Sequence, residues 1–311
     1  MVWKPTSPHI PAQEKLTPFE QVVENGIAEA FSKIRERYEN PADPDKELPY
    51  HSELHTKTVL ARAERIAKAL ELDKDERLFG LVRIAAANHD RFQDYQEEIP
   101  QADMGGLHRR HRTYPNNEEK SAEEAVGWMQ EQNVFTAEEC ELVRAAIVAT
   151  VPGHYFSPTQ KKQVLHQPNV KPESSLVERT VALADLNTSG MDGVTFVREA
   201  DALFREFQID MTRRMRNLKT REDLDPKTQE MFRKKTLGWI ERQAEYARER
   251  QGEIENELNG LNEKQKKAVR SLFNTFDIAI AECQKVFEDR EKMDFWELAE
   301  ATGYAVPPTT Q

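Results

Sequence analysis

Apolar residues recur at helical spacing over most of the chain. Val22, Val23, Ile27, Ala30, Phe31 and Ile34 form one stripe of an amphipathic helix. Thr17 suits its N-cap and Pro18 its first turn, and it stops before Asn40-Pro-Ala-Asp-Pro. A second helix is expected from near Tyr50, through Leu54, Val59, Leu60, Ala63, Ile66, Ala67 and Leu70. A third, from about Lys74, is almost wholly apolar over Leu78–Ala87 and ends in Asn88-His89-Asp90. Further helices are expected at 118–131, 136–150, 176–186, 191–217, 226–250, 263–290 and 294–302. Residues 1–16, with Pro5, Pro8 and Pro11, read as an irregular arm, and 91–117 as a long loop. No strand-like alternation of useful length and no internal repeat is found, so the expected class is all-α.

Composition changes the picture in three ways. With 311 residues the chain can bury a large core, and 32% charged against 38% hydrophobic residues suits a soluble helical protein. No apolar run approaches the roughly 18 residues of a membrane helix, and the N-terminus lacks a signal-peptide core. A cytoplasmic protein without a membrane partner is therefore expected, and Cys140 and Cys283 are expected to be reduced and buried. A net charge of −11 argues against a nucleic-acid polymer as partner. An anionic small molecule would need local positive charge, from a metal or a basic loop.

The candidate chemistry centres on the end of the third helix. His89 and Asp90 offer an imidazole nitrogen and a carboxylate oxygen from one short piece of backbone. Upstream stand His51 and His55, four apart and expected on one helical face; downstream, Asp185 ends another apolar helix. Two neutral imidazoles and two carboxylates balance a divalent ion and suit Mn, Fe, Co, Zn or Ni, and Mg less well.

A histidine, then His-Asp, then a distant Asp, each on its own helix, resembles the HD superfamily of metal-dependent phosphohydrolases. Asn117-Glu118-Glu119-Lys120-Ser121-Ala122, the Thr150 to His154 segment and Ala182–Gly190 resemble its small predicted phosphohydrolase subgroup. The Thr150–His154 interval is one residue longer than the common spacing. The resemblance spans roughly 50 to 250. It implies an HD-type helical domain over 17–250, followed by a helical extension over 251–311. It also implies His55, His89, Asp90 and Asp185 as metal ligands, with His51 competing for the role of His55. The implied function is hydrolysis of a phosphate ester or phosphoanhydride, in a nucleotide-like small molecule. The metal would act as a Lewis acid and lower the pKa of water to near 7.

Around this set the residues leave alternatives open. Glu118 is either a water-orienting base or an ordinary acid at a helix N-terminus. His51 is either a proton donor to the leaving oxygen or a packed polar group. His154 either contacts phosphate or a second metal, or lies on a surface loop. After Gly105-Gly106, His108-Arg109-Arg110-His111-Arg112 either folds over the site, with Arg109, Arg110 and Arg112 holding phosphates, or is a solvated face. Lys161 and Lys162 are further candidate cations, while the basic residues from Arg213 to Arg250 read as a solvated face. Two other functions compete: a di-iron oxygenase of HD type, with His108, His111 and His154 as added ligands, and a non-catalytic regulatory module.

Overall fold

The computed structural model describes residues 16–98, 108–157 and 160–309, so the expected arm at 1–16, Leu16 apart, and Gly105-Gly106 lie outside the described residues. Thr17 and Glu20 cap α1 (Pro18–Ile34) reciprocally, each side chain accepting the other's backbone N–H. After it come α2 (Glu53–Ala69) and α3 (Glu76–Asn88). A hairpin of β1 (Tyr95–Glu97) and β2 (Arg110–Arg112) leads to α4 (Asn116–Gln132) and α5 (Ala137–Val148). A second hairpin pairs β3 (Gly153–Ser157) with β4 (Lys162–His166) and precedes α6 (Leu176–Leu186). The remainder is helical: α7 (Thr188–Met191), α8 (Gly193–Phe207), α9 (Ile209–Asn217), α10 (Pro226–Glu257), α11 (Glu263–Arg270), α12 (Phe276–Arg290) and α13 (Phe295–Ala301).

The chain is thus mostly α-helical, as its periodicity predicts, with departures that have local causes. The two hairpins were not expected: strands of three and five residues are too short to alternate, and β2 reads Arg-His-Arg. The second helix starts at Glu53 rather than Tyr50, because Ser52 is extended (φ −107°, ψ 172°) and accepts from the His55 N–H as N-cap. His51 therefore precedes the helix instead of sharing a face with His55. The segment expected as one helix over 191–217 breaks at Asp192 and Gln208, which leave helical geometry at ψ 50° and 61°. Likewise 263–290 divides into α11 and α12. Residue 250 lies inside α10, which runs on to Glu257.

The main core is organised on α3, whose residues Gly80–Val82 and Ile84–Asn88 are all buried. It packs against α1, α2, α4, α5 and α6, and Ala85-Ala86-Ala87 keeps those approaches short. At Gly80 a Cβ would stand 2.7 Å from the Phe19 ring, so the crossing with α1 depends on that glycine. A second layer joins α8, α10 and α12 through Phe196, Ile240, Ala244, Ala247, Ala279 and Cys283. Both cysteines are free and buried. Among the described residues no helix is long and apolar enough to cross a membrane.

Ile66 on α2 is fully buried in the main core. Its replacement by alanine should cost about 2–5 kcal/mol, as deletion of buried aliphatic volume does. Urea unfolding of Ile66→Ala against wild type measures it, and a loss below about 1 kcal/mol would mean that the layer around α3 repacks.

Candidate metal centre

Three helix ends meet beside α3. His89 caps the C-terminus of α3, with Asp90 next in the chain. His55 lies in the first turn of α2, and Asp185 is the penultimate residue of α6. His89 Nδ1 lies 2.8 Å from the Ala86 carbonyl oxygen, a contact that assigns its proton to Nδ1 and a lone pair to Nε2. His89 Nε2 is 3.0 Å from Asp90 Oδ2 and 3.5 Å from Asp185 Oδ1. His55 Nε2 is 3.3 and 3.9 Å from the same two oxygens.

These four side chains offer atoms that all lie within 4.8 Å of one another, so His55, His89, Asp90 and Asp185 form a group that can hold a metal ion. Ligands about 2.1 Å from one ion stand roughly 3.0–3.4 Å apart for angles between right and tetrahedral; the two contacts of Asp90 fall in that range and those of Asp185, at 3.5 and 3.9 Å, lie just beyond it. The hydrogen-bond pattern agrees. His55 Nε2, His89 Nε2 and Asp90 Oδ2 are buried and crowd together, yet none makes a hydrogen bond. Orphaned polar atoms of this kind cost about 1–3 kcal/mol each, and a cation between them satisfies all three. Without an ion, burial opposes charge on His89, but the facing Asp90 and Asp185 carboxylates overcome it and push its pKa up to about 10; a bound cation would supply that positive charge and leave Nε2 its lone pair. His55 is shifted the other way, chiefly by burial.

The supporting shell explains several residues singled out in the sequence. Asp90 turns its other oxygen to Gln93 (2.8 Å) and to Arg112 Nη2 (3.0 Å). Although burial works against its charge, the neighbouring His89, His51 and Arg112 hold it well below the carboxylate range. The same Nη2 donates to Glu118 at 2.9 Å, and Arg112 Nε donates to Gln93 at 2.7 Å. Glu118 is buried, which raises its pKa against the pull of Arg112. Asn117 accepts from the Asp94 N–H at 3.0 Å and Ser121 from the Phe92 N–H at 2.9 Å. The Asn117-Glu118-x-x-Ser121 motif therefore clamps the turn that follows the His-Asp pair. On the far side, Arg62 Nε donates to the Ala184 carbonyl at 2.7 Å and steadies the end of α6.

His51 reaches the site from outside α2. Its Nε2 is 3.9 Å from Asp90 Oδ2, and its Nδ1 is hydrogen-bonded to Glu206 on α8. Glu206 also accepts from the Tyr50 and His51 N–H groups at 3.1 Å and from the Tyr95 hydroxyl. Burial would raise the Glu206 pKa, but the His51 ring, the Tyr95 hydroxyl and Arg110 bring it down to about 2. Glu206 and Tyr95 were not foreseen. Glu206 sits 155 positions from His51 in a charged stretch, where no spacing marks it.

The basic loop divides. Arg112 joins the site. Arg110 is buried, and its guanidinium donates to the carbonyls of Glu206, Asp45 and Glu47. Arg109 pairs with Glu98 at the surface, 3.5 Å away. His108 and His111 face Glu97 and Glu98, away from the four ligands, so the structure does not gather them as added iron ligands. A cavity of about 580 Å³ opens from Asp185, His51 and Arg112; His154 lines it on β3, as do residues of α8 and α10. The solvated-face reading of Arg213–Arg250 therefore needs correction. Arg242 lines the cavity, and Arg250 is fully buried, donating to Leu165 O (2.8 Å) and Asn187 Oδ1 (3.2 Å). Lys162 is held by Glu245 and Glu249 on the cavity's rim.

The Glu206 pKa is depressed on folding, so its stabilisation is complete above its ordinary 4.5 and is lost as pH falls toward about 2. Glu206→Gln should thus be less stable than wild type near neutrality, with the difference shrinking through that acid window. Urea titrations at stepped pH test this, and a pH-independent difference would contradict it. No family model, curated protein or solved structure matches this chain, and its chemistry rests on these atoms.

Proposed function

We infer that the chain is a metal-dependent phosphohydrolase of HD type, acting on a phosphate ester or phosphoanhydride in a small molecule. One observation carries the reading: four ligand atoms, three of them buried and without hydrogen-bond partners, converge beside a 580 Å³ cavity that Asp185 lines. A divalent ion held there supplies a Lewis acid for a phosphoryl oxygen and lowers the pKa of water. The order His55, His89-Asp90, Asp185 is the pattern through which the sequence resembles the HD superfamily, whose members include nucleotide hydrolases.

The chain's own residues divide the remaining tasks. His51 is oriented by Glu206 through Nδ1, so its Nε2 faces the ligands and can pass a proton to a leaving oxygen. Arg112 lines the cavity and brings positive charge to the phosphate end. Glu118 acts through Arg112, holding its guanidinium beside Asp90, and is a positioning residue. Arg109, paired with Glu98, and Arg110, tied to main-chain carbonyls, are given no role in this reading.

The test is phosphate release from a panel of mono-, di- and triphosphate nucleotides and simple phosphate esters, with Mn, Fe, Co, Zn, Ni or Mg added singly. Turnover should require the ion. His51→Gln should lower kcat by about 10²–10⁴-fold while elemental analysis shows unchanged metal content. Absence of phosphate release across the panel from metal-loaded protein would overturn the reading.

A further inference from the structure

The cavity lining is of two chemically different kinds. Asp185, His51 and Arg112 stand at one end. A second part of the lining comes from α8, with Phe196, Ala200, Leu203 and Phe207, and from α10, with Trp239 and Tyr246. The α8 positions fall at i, i+4, i+7 and i+11, a single stripe of that helix. Trp239 stands edge-on to Phe207 (centroids 6.3 Å apart, planes at 90°), and its indole N–H donates to the Ala200 carbonyl at 2.9 Å. Tyr246 stacks on Phe196 (6.0 Å, 12°), with its hydroxyl 3.5 Å from the Leu186 carbonyl oxygen. The polar handles of both rings are thus turned to the main chain, and these side chains offer the cavity mainly ring and aliphatic carbon.

Charge on the wall disfavours a long anion. Glu199, Glu245 and Glu249 all line the cavity. Glu245 and Glu249 hold Lys162 at 2.8 and 2.7 Å, and Glu199 accepts from Thr188 at 2.8 Å. Arg112 is already shared among Asp90, Glu118 and Gln93. One phosphoryl group is compensated at the ligand end, whereas a chain of phosphates extending outward would meet three carboxylates, against which the wall sets, among the described residues, only Arg242 and the already paired Lys162. The volume lies within the range of small-molecule sites, where apolar lining with a few polar groups at one end sets orientation.

We propose that the cavity receives the organic part of a phosphomonoester whose alcohol is a flat apolar ring, with Phe196, Leu203, Trp239 and Tyr246 determining specificity. The placing of the phosphate rests on the phosphohydrolase reading; the ring site does not. Water would cleave the P–O bond, leaving inorganic phosphate and the ring alcohol, with the proton of the leaving oxygen supplied at His51.

Isothermal titration calorimetry with 1-naphthol, which carries no phosphate, examines the ring site alone. Wild type should bind it, and Trp239→Ala and Leu203→Gln should each weaken binding by about tenfold, with Trp239→Phe restoring most of it. Leu203→Trp should fill the cavity and abolish binding, and circular dichroism with thermal unfolding identifies any variant that fails to fold. With metal loaded, 1-naphthyl phosphate should be turned over with higher kcat/KM than adenosine triphosphate or glycerol phosphate. Leu203→Gln should raise its KM more than it lowers kcat. Naphthol binding that follows these variants, with no phosphate released from any ester, would support the ring site and overturn the hydrolytic reading instead. Folded wild type that fails to bind 1-naphthol, or that prefers adenosine triphosphate to 1-naphthyl phosphate, would overturn the proposal.

Discussion

A carboxylate buried at the end of an apolar helix must be compensated, and the surroundings of Asp90 show how much structure that demands. One of its oxygens is met by Arg112 and Gln93; the other faces His55 and His89 without a hydrogen bond. Removing such a charge from water is costly unless it is paired, so the loop that carries Arg112 is tied to the end of α3. Glu118 shares that arginine, Asn117 and Ser121 clamp the intervening turn, and Arg110 anchors β2 to the carbonyls of Glu206, Asp45 and Glu47. Much of the hairpin between α3 and α4 thus serves one oxygen of one carboxylate.

The other oxygen defines the site. Asp90 Oδ2 approaches the nitrogens of two histidines, and Asp185 closes the group from α6. The helices that bring these residues together supply much of the main core, so the ligands inherit its rigidity. His51 is placed differently, by Glu206 and by backbone contacts before α2. Its orientation therefore belongs to α8 as much as to its own segment. Chain beyond residue 190 consequently enters the site twice, through Glu206 and through the ring-lined wall of α8 and α10.

Helical periodicity made most of the all-α fold legible, because long amphipathic segments with capping residues state their own type. Thr17, Thr136 and Ser175 all form the capping boxes that their spacing to Glu20, Glu139 and Glu178 allows. The ligand group was legible too, since each member ends or begins an apolar helix. Less legible was whatever depends on tertiary placement. Whether His51 lies inside α2 turned on Ser52 being the cap, one residue away. Arg110 and Arg112, two positions apart, share one face of β2, yet one is drawn to main-chain carbonyls and the other to carboxylates. Arg250 sits in a helix dense with charge, yet it is buried against β4, Asn187 and Glu257. Spacing along α10 does not reveal which turns α8 and β4 will cover.

The account stands on the four converging ligand atoms, and the position of a bound ion tests it most directly. Crystals grown with manganese and measured at the manganese edge should give one anomalous peak among His55 Nε2, His89 Nε2, Asp90 Oδ2 and Asp185 Oδ1, about 2.0–2.2 Å from each. The peak should vanish in Asp185→Asn crystals grown identically. An anomalous peak elsewhere, or none at saturating manganese, would contradict the account.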